Sequence, residues 1–250
     1  MEKVTHFAHE LRHIAAAKMW NRLLQQLGLE FSEESQRNLI HANNLLKDNS
    51  LVVYINHTSM KDAELAISMV FSFLTNAKRI IGPAGMKHYD INRDPKNAML
   101  FRLLKSLGIT ILPIAQQDDD RDYGYVEEQM RTKLRDTTKS TMELPGSVDG
   151  IAPEGTRSRD GKLLQAKRGI GFLDGYNPDL FYLPVAIAYR EFSGQPSIFV
   201  GKPLCLKDMI AEETELPNEP KEKAQFLADL HMQRLAGMLP EHMRGFYGER

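Results

Sequence analysis

Short apolar runs of strand length alternate with stretches of helical periodicity through the first half of this chain. Leu51–Ile55 is a β-branched run typical of a buried strand, and Ala63–Leu74 has the length and periodicity of a helix. A second helix is predicted from Asp94 and Pro95, and a strand follows it at Ile109–Ile114. Alternation of this kind predicts an α/β fold with parallel strand pairs.

The remaining elements continue the same layout. Further strands are predicted at three apolar runs, Arg79–Gly82, Leu180–Tyr189 and Ser197–Val200. Turns are predicted at Pro83–Gly85 and at Pro145–Gly146 because both contain Pro and Gly. Helices are predicted from about Tyr123 to Lys139, as a short piece within Lys162–Gly175, and at Ala224–Leu239, with a loop at Glu212–Glu222.

Residues 1 to about 47 are predicted to form a pair of helices. Gly28 is a plausible end of the first helix, and the Ser32–Ser35 run is a typical start for the second. The first helix carries several cations and Trp20, a composition that suits a membrane interface. The same pattern also suits ordinary packing with a solvated polar face, because Glu2 and Glu10 dilute the positive charge. We therefore expect an N-terminal helical segment at 1–47, packed on a main domain at 48–250.

Composition narrows the functional classes. The chain has 250 residues, of which 42% are hydrophobic and 26% charged, the values of a globular protein with a sizeable core. Its net charge of −1 argues against nucleic acid as a partner. Cys205 is the only cysteine, which suits a reducing compartment such as the cytoplasm. Because no run reaches the ~20 apolar residues of a spanning helix, we expect any membrane contact to be peripheral.

The first chemical motif is the polar stretch Asn56–Asp62, between the first predicted strand and helix. His57 stands where a strand ends, a position at which α/β proteins often expose reactive groups. Asp62 is close enough along a tight turn to reach the imidazole, fix its tautomer and stabilise the imidazolium. The pair has the properties of a general base. Ser59 is expected to cap the following helix rather than act as a nucleophile.

The second motif, Ile151–Ser158, follows another possible strand. The guanidinium of Arg157 can bind two phosphate oxygens at once, Gly155 allows close backbone approach, and Thr156 adds a hydroxyl donor. Glu154 is an unusual neighbour for a phosphate. A tight surface turn is the alternative interpretation, since Pro, Glu and Gly are also common in loops.

The two motifs together resemble the glycerolipid acyltransferases, the family of 1-acylglycerol-3-phosphate and glycerol-3-phosphate acyltransferases. That family carries a His-x4-Asp pair, a Pro-Glu-Gly-Thr-Arg block and an apolar strand, here Tyr182-Leu183-Pro184-Val185. The resemblance covers about Leu51 to Ala188 and implies an α/β fold with a mixed sheet flanked by helices.

The resemblance also implies a mechanism and partners. His57 would be the general base oriented by Asp62, and residues Glu154, Gly155, Thr156 and Arg157 would bind the acceptor. The acyl donor would be acyl-CoA or acyl carrier protein, with no cofactor and no metal. The acceptor would be lysophosphatidate first and glycerol 3-phosphate second, at the cytoplasmic face of a membrane.

One departure from the family pattern concerns the acceptor. The family usually carries an acid and an arginine after an apolar strand between the two motifs, but Pro113-Ile114 stands there in this chain. Four basic residues are candidates to replace that arginine, although each also suits an ordinary surface position: Lys87, Arg93, Lys105 and Arg121. The sequence therefore constrains the identity of the acceptor less than it constrains the acyl-transfer reaction.

Other polar clusters favour structural roles. The acidic cluster Asp118–Asp122 matches no known ligand spacing for a divalent cation, so a solvated loop is expected there. His231 and His242 are eleven positions apart, a spacing that matches no metal motif.

Three other functions stay open. An acyltransferase that uses a sugar or an amino lipid as acceptor is favoured by the missing arginine. A non-catalytic lipid-binding protein of the same fold is the second, and a hydrolase with water in place of the alcohol is the third.

Overall fold

A computed structural model describes residues 14, 18, 21–22, 25–26, 28–29, 31–59, 61–85, 88–89, 92, 94–106, 108–114, 127–175, 177, 179–189, 195–210 and 215–248. The predicted first helix therefore lies largely outside the described residues. No helix among those described is long and apolar enough to cross a bilayer.

In the described part of the chain, seven strands form a mixed central sheet, which confirms the predicted α/β fold. Its strands are β1 Leu51–Ile55, β2 Arg79–Gly85, β3 Ile109–Ile114, β4 Ser147–Ile151, β5 Phe181–Tyr189, β6 Pro196–Val200 and β7 Leu204–Cys205. The order across the sheet is β3-β2-β4-β1-β5-β6, and β7 also pairs with β5. The first five strands in this order are parallel, whereas β6 and β7 run antiparallel to β5.

Helices cover both faces of this sheet. They are α1 Glu33–Leu45, α2 Asp62–Phe73, α3 Pro95–Ser106, α4 Glu127–Met142, α5 Leu206–Met209 and α6 Pro220–Met238. Short 3-10 helices lie at Ile170–Gly175, Glu241–Met243 and Gly245–Tyr247. The predicted start of α1 is confirmed, because the Ser32 hydroxyl accepts a hydrogen bond from the Ser35 N–H at 3.1 Å.

Alternating residues of the central strands pack into two separate hydrophobic clusters, one on each face of the sheet. Val53 of β1 belongs to the cluster shared with α1, α2 and α3, and Val52 to the one shared with α4 and α6. All five residues of β1 are buried, as expected for a central strand of a parallel sheet covered on both faces. This double burial explains why the run Leu51–Ile55 is apolar without alternation.

The predicted turn at Pro83–Gly85 is wrong, because these residues continue β2. Pairing of β2 with β4 stops at Ile81, while its pairing with β3 continues to Gly85. Pro83 therefore lies where one side of the strand is free, and proline is tolerated in that position.

Two helix boundaries also differ from prediction. Helix α6 begins at Pro220 instead of Ala224, with proline in the first turn, so the predicted loop is shorter. The charged residues of that first turn conceal the apolar periodicity in the sequence. Helix α4 continues past Lys139 to Met142, whose side chain is fully buried.

Candidate active site

Both sequence motifs lie at the carboxyl edge of the sheet, on neighbouring strands. Strand β1 pairs in parallel with β4, in a register that places Tyr54 beside Ile151. The residues that follow each strand, from Asn56 and from Ala152, therefore emerge at the same edge. Sheet order thus brings together two segments that are almost a hundred residues apart in sequence.

Asp62 is the buried centre of the first motif. Its side chain is fully buried at the start of α2, and its Oδ2 accepts hydrogen bonds from the backbone N–H groups of Thr58 and Ser59, both at 2.6 Å. The carboxylate therefore closes the turn between β1 and α2 and keeps its hydrogen-bonding capacity satisfied without water. Ser59 is not the N-cap that the sequence predicted, because Lys61 occupies that position.

A residue that sequence reasoning missed completes this environment. The hydroxyl of Tyr189, at the end of β5, donates to Oδ1 of Asp62 at 2.6 Å. Burial raises the pKa of Tyr189, and the hydrogen bond to Asp62 raises it further, so the phenol stays a proton donor. No local pattern links Tyr189 to Asp62, because the two residues meet only through strand order.

Asn56 was also missed, although it directly precedes His57. Its buried side-chain amide donates to the Ile187 carbonyl and accepts from the Ile187 N–H, both at 2.8 Å. This bidentate contact fixes the end of β1 against β5. It thereby holds the backbone from which His57 projects.

His57 contacts Asp62 and also lines an open cavity. Its Nδ1 is 3.4 Å from Asp62 Oδ2, and the side chain is 25% exposed. A proton on Nδ1 facing the carboxylate leaves Nε2 as the basic nitrogen. The 3.4 Å separation is long for a hydrogen bond, as is common in enzymes without bound substrate.

Glu154 joins the second motif to the first. Its Oε1 accepts the backbone N–H of His57 at 2.7 Å, and its Oε2 accepts the N–H of Leu164 at 2.9 Å. Burial raises the pKa of Glu154 to about 7, against the lowering effect of these two hydrogen bonds. Glu154 thus positions the backbone of His57, a role that the sequence did not suggest.

The rest of the second motif surrounds this bridge. Gly155 has a φ of 65°, and a Cβ there would lie 2.8 Å from a carbon of Lys167, so glycine suits this turn. Thr156 is partly exposed and Arg157 is exposed. The next residue, Ser158, donates its backbone N–H to the His57 carbonyl at 2.8 Å, which keeps Arg157 close to the histidine loop.

A cavity of about 270 Å³ opens beside His57, near the small end of the range for ligand sites. It lies between the sheet and the helices α2 and α3, and it is lined by apolar residues such as Ile67 and Leu104. Gly82 and Gly150 on neighbouring strands also line it. A Cβ on Gly150 would approach only the Ile81 carbonyl, at 3.9 Å, so the missing side chain leaves space inside the cavity.

The structure locates only part of the remaining polar candidates. Lys105 is an exposed residue of α3, and it does not line the cavity. Lys87, Arg93, Arg121 and the acidic cluster Asp118–Asp122 lie outside the described residues. Within the described part of the chain, no group of three His, Cys, Asp or Glu residues could hold a metal ion.

The two C-terminal histidines lie away from this site. His231 is fully buried on the opposite face of the sheet, against the rings of Tyr54 and Tyr182. Burial lowers its pKa to about 3, and the charge of Arg234 adds to the effect, so the ring is neutral. His242 is exposed in a short 3-10 helix.

No protein-family model matches the chain, and a search of curated proteins finds no match. The family resemblance of the two motifs therefore stays a prediction. The contacts around His57 and the cavity beside it are the observations that bear on function.

Proposed function

We propose that this protein is an acyltransferase that moves a fatty acyl group from a thioester donor to the hydroxyl of a phosphate-bearing glycerol acceptor. One observation carries the proposal: the His57 imidazole lies 3.4 Å from a buried carboxylate, and His57 lines a largely apolar cavity. A base beside an apolar cavity suits a substrate with a hydroxyl at the reacting end and a hydrocarbon chain.

The reaction would proceed by direct transfer. Nε2 of His57 removes the proton of the acceptor hydroxyl while its oxygen attacks the thioester carbonyl carbon. The tetrahedral intermediate then breaks its carbon–sulfur bond, the new ester is released, and the thiolate leaves with the proton from His57. Asp62 stabilises the transient imidazolium, so no enzyme nucleophile is needed.

The cavity favours a donor with a long apolar chain. Its walls come from α2, α3 and the sheet, and the absence of a side chain at Gly150 leaves space within it. An acyl chain of acyl-CoA or acyl carrier protein could lie here with its carbonyl beside His57. No cofactor is required, because the thioester itself supplies the leaving group.

The acceptor's phosphate would lie on the side of the second motif. Arg157 is exposed, and the hydrogen bond from Ser158 to His57 keeps it next to the base. A guanidinium in this position can bind a phosphate group in two hydrogen bonds. Lysophosphatidate is the first candidate acceptor and glycerol 3-phosphate the second.

We further propose that the protein works at the cytoplasmic surface of a membrane. Met99 and Leu103, one turn apart on α3, are 67% and 48% exposed. Lys96, Arg102 and Lys105 are exposed on the same helix. Apolar side chains flanked by cations suit an anionic lipid surface, and the inner side of α3 lines the cavity.

A matrix of donors and acceptors tests the proposal. Purified protein is incubated with radiolabelled acyl-CoA or acyl carrier protein and with lysophosphatidate, glycerol 3-phosphate, a sugar or an amino lipid. Acylation of a phosphate-bearing glycerol supports the proposal, and selective acylation of another acceptor narrows it to acyl transfer alone. Binding without turnover would indicate a lipid-binding protein, and release of free fatty acid alone would indicate a hydrolase.

A further inference from the structure

A second histidine–carboxylate pair lines the same cavity as His57. His88 follows the end of β2, and its Nδ1 is 2.8 Å from Oδ2 of Asp94. Both side chains are about one-quarter exposed, at 25% and 26%. No sequence pattern singles out His88, because it is six residues from Asp94 in a stretch without helical or strand periodicity.

Asp94 holds this second pair in place through the start of α3. Its Oδ1 accepts the Asn97 N–H at 3.2 Å, and its Oδ2 accepts the Asn97 side-chain amide at 2.6 Å. Burial acts to raise the pKa of Asp94, but the hydrogen bonds from His88 and Asn97 hold this pKa below its ordinary value. An ionised Asp94 accepts the hydrogen bond from Nδ1–H of His88, which leaves Nε2 for a ligand. In the imidazolium Nε2 also carries a proton, which it can donate to an anion.

The charges around the cavity differ between its two sides. Glu64 lines it on the α2 side, next to the first motif, whereas His88 and Asn97 line it on the α3 side. Apart from His57, His88 is the one basic side chain among the described residues that line the cavity. An anionic group would be repelled at Glu64 and attracted to an imidazolium at His88.

The sheet sets the spacing between the strands that precede the two histidines. His57 follows β1 and His88 follows β2, and β4 lies between these strands. Two strand spacings amount to roughly 10 Å. A small acceptor with its hydroxyl at one imidazole could therefore reach toward the other with its opposite end.

We propose that His88 binds the anionic group of the acceptor, a phosphate monoester, through its Nε2–H. Asp94 and Asn97 are positioning residues that orient the ring. This inference rests on the proposed function, and it assigns the acceptor's phosphate a contact inside the cavity in addition to the exposed Arg157.

Binding without an acyl donor tests this proposal independently of catalysis. Histidine-ring nitrogen resonances are followed by NMR while glycerol 3-phosphate is added to the full chain, with glycerol as the uncharged control. We expect glycerol 3-phosphate, and not glycerol, to shift the His88 resonances, and His88→Ala to weaken binding roughly tenfold, the loss of one charge-assisted hydrogen bond. Unchanged affinity in His88→Ala, or no shift at His88, would overturn it.

Kinetics separate a binding role from a structural one. His88→Ala should raise KM for lysophosphatidate roughly tenfold with kcat nearly unchanged, and it should leave KM for an uncharged monoacylglycerol unchanged. His88→Arg, which keeps a cation, should recover part of the loss. His41→Ala, on the exposed side of α1, is the matched control and should behave like the native chain.

Failure of the phosphate-binding role of His88 and failure of the proposed acyltransferase function give different results. Phosphate binding at His88 without acyl transfer to any acceptor would leave this inference standing and remove the proposed function. Acyl transfer to lysophosphatidate with an unaltered KM in His88→Ala would support the proposed function and remove the phosphate-binding role of His88. If His88→Ala does not fold, Asn97→Ala replaces it in the NMR titration, because this variant removes one of the donors to Asp94. Unchanged His88 shifts and unchanged affinity in Asn97→Ala would overturn the role given to Asn97.

Discussion

The two histidine–carboxylate pairs of this cavity look alike in sequence but differ in their surroundings. Asp62 is completely buried and has three other donors besides His57, which are two backbone N–H groups and the Tyr189 hydroxyl. Asp94 is one-quarter exposed and caps a helix. The first carboxylate is fixed by the fold, whereas the second can exchange its partners for water. This difference suits a catalytic base at His57 and a ligand-binding group at His88.

The same substitution at both carboxylates gives the largest expected contrast. Asp62→Asn removes the charge that stabilises the imidazolium and replaces one of two accepting oxygens with an amide donor in a buried site, so it should lower acyl transfer by roughly 10²–10⁴-fold and destabilise the fold by ~2–4 kcal/mol. Asp94→Asn keeps a good N-cap and should cost less than ~1 kcal/mol. Urea unfolding and acyl-transfer rates of the two variants measure this. Equal losses at both positions would contradict the distinction between the pairs.

Substitution of Glu154, which joins the two motifs, should give the next largest loss of stability and activity. Glu154→Ala leaves the backbone N–H groups of His57 and Leu164 without their acceptor in a buried position. Each loss costs ~1–3 kcal/mol, so we expect ~2–6 kcal/mol of destabilisation together with reduced transfer. Glu154→Gln, which keeps one acceptor oxygen, should lose less. Native stability of the alanine variant would show that Glu154 does not join the loops.

A third carboxyl group, that of Asp149, shows how burial alone changes a pKa when no hydrogen-bond donor compensates. Asp149 is buried in β4, its Oδ1 has no partner among the described residues, and burial raises its pKa to about 7. The folded state therefore holds a proton that the unfolded chain releases near pH 4, so this contribution to stability is lost as pH rises to about 7.

Asp149→Asn should remove that pH dependence. The native chain's stability relative to this variant should fall by ~2–4 kcal/mol between pH 4 and pH 7. Glu154 titrates in the same window in both proteins, so its effect cancels in the difference. Urea unfolding across this range measures it, and a difference that does not change with pH would disprove the role of Asp149.

Arg157 should give the smallest effect, because its side chain is exposed. Arg157→Ala should raise KM for lysophosphatidate about tenfold or less while kcat stays constant, as expected for uniform binding of the phosphate. Arg79→Ala, at the amino end of β2 and thus at the opposite edge of the sheet, is the matched control. A fall in kcat with unchanged KM would assign Arg157 to the transition state instead.

The sequence predicted the elements that local pattern determines. The β-branched run of β1, the apolar helix α2 and the Asp-Pro start of α3 carry local signals, and the strand–helix alternation predicts parallel pairing. The resemblance of the two motifs also assigned His57, Asp62 and Glu154 to one site, although it did not predict the contacts of His57 with Asp62 and Glu154 that the structure shows in atomic detail.

The parts that could not be predicted depend on strand order. Tyr189 reaches Asp62 because β5 lies next to β1, and Glu154 reaches His57 because β4 lies on the other side. His88 joins the same cavity because β2 is two strands away. No spacing in the sequence encodes these contacts, and Pro83 shows that even a turn signal fails where a strand edge is free.

The most direct test of the central claim is a single-turnover transfer from radiolabelled acyl-CoA to lysophosphatidate, run with the native chain, His57→Ala and His88→Ala at saturating acceptor. The account predicts phosphatidate formation by the native chain, a loss of roughly 10³-fold or more in His57→Ala with an unchanged circular dichroism spectrum, and a nearly native rate in His88→Ala. Transfer by His57→Ala at the native rate would contradict it.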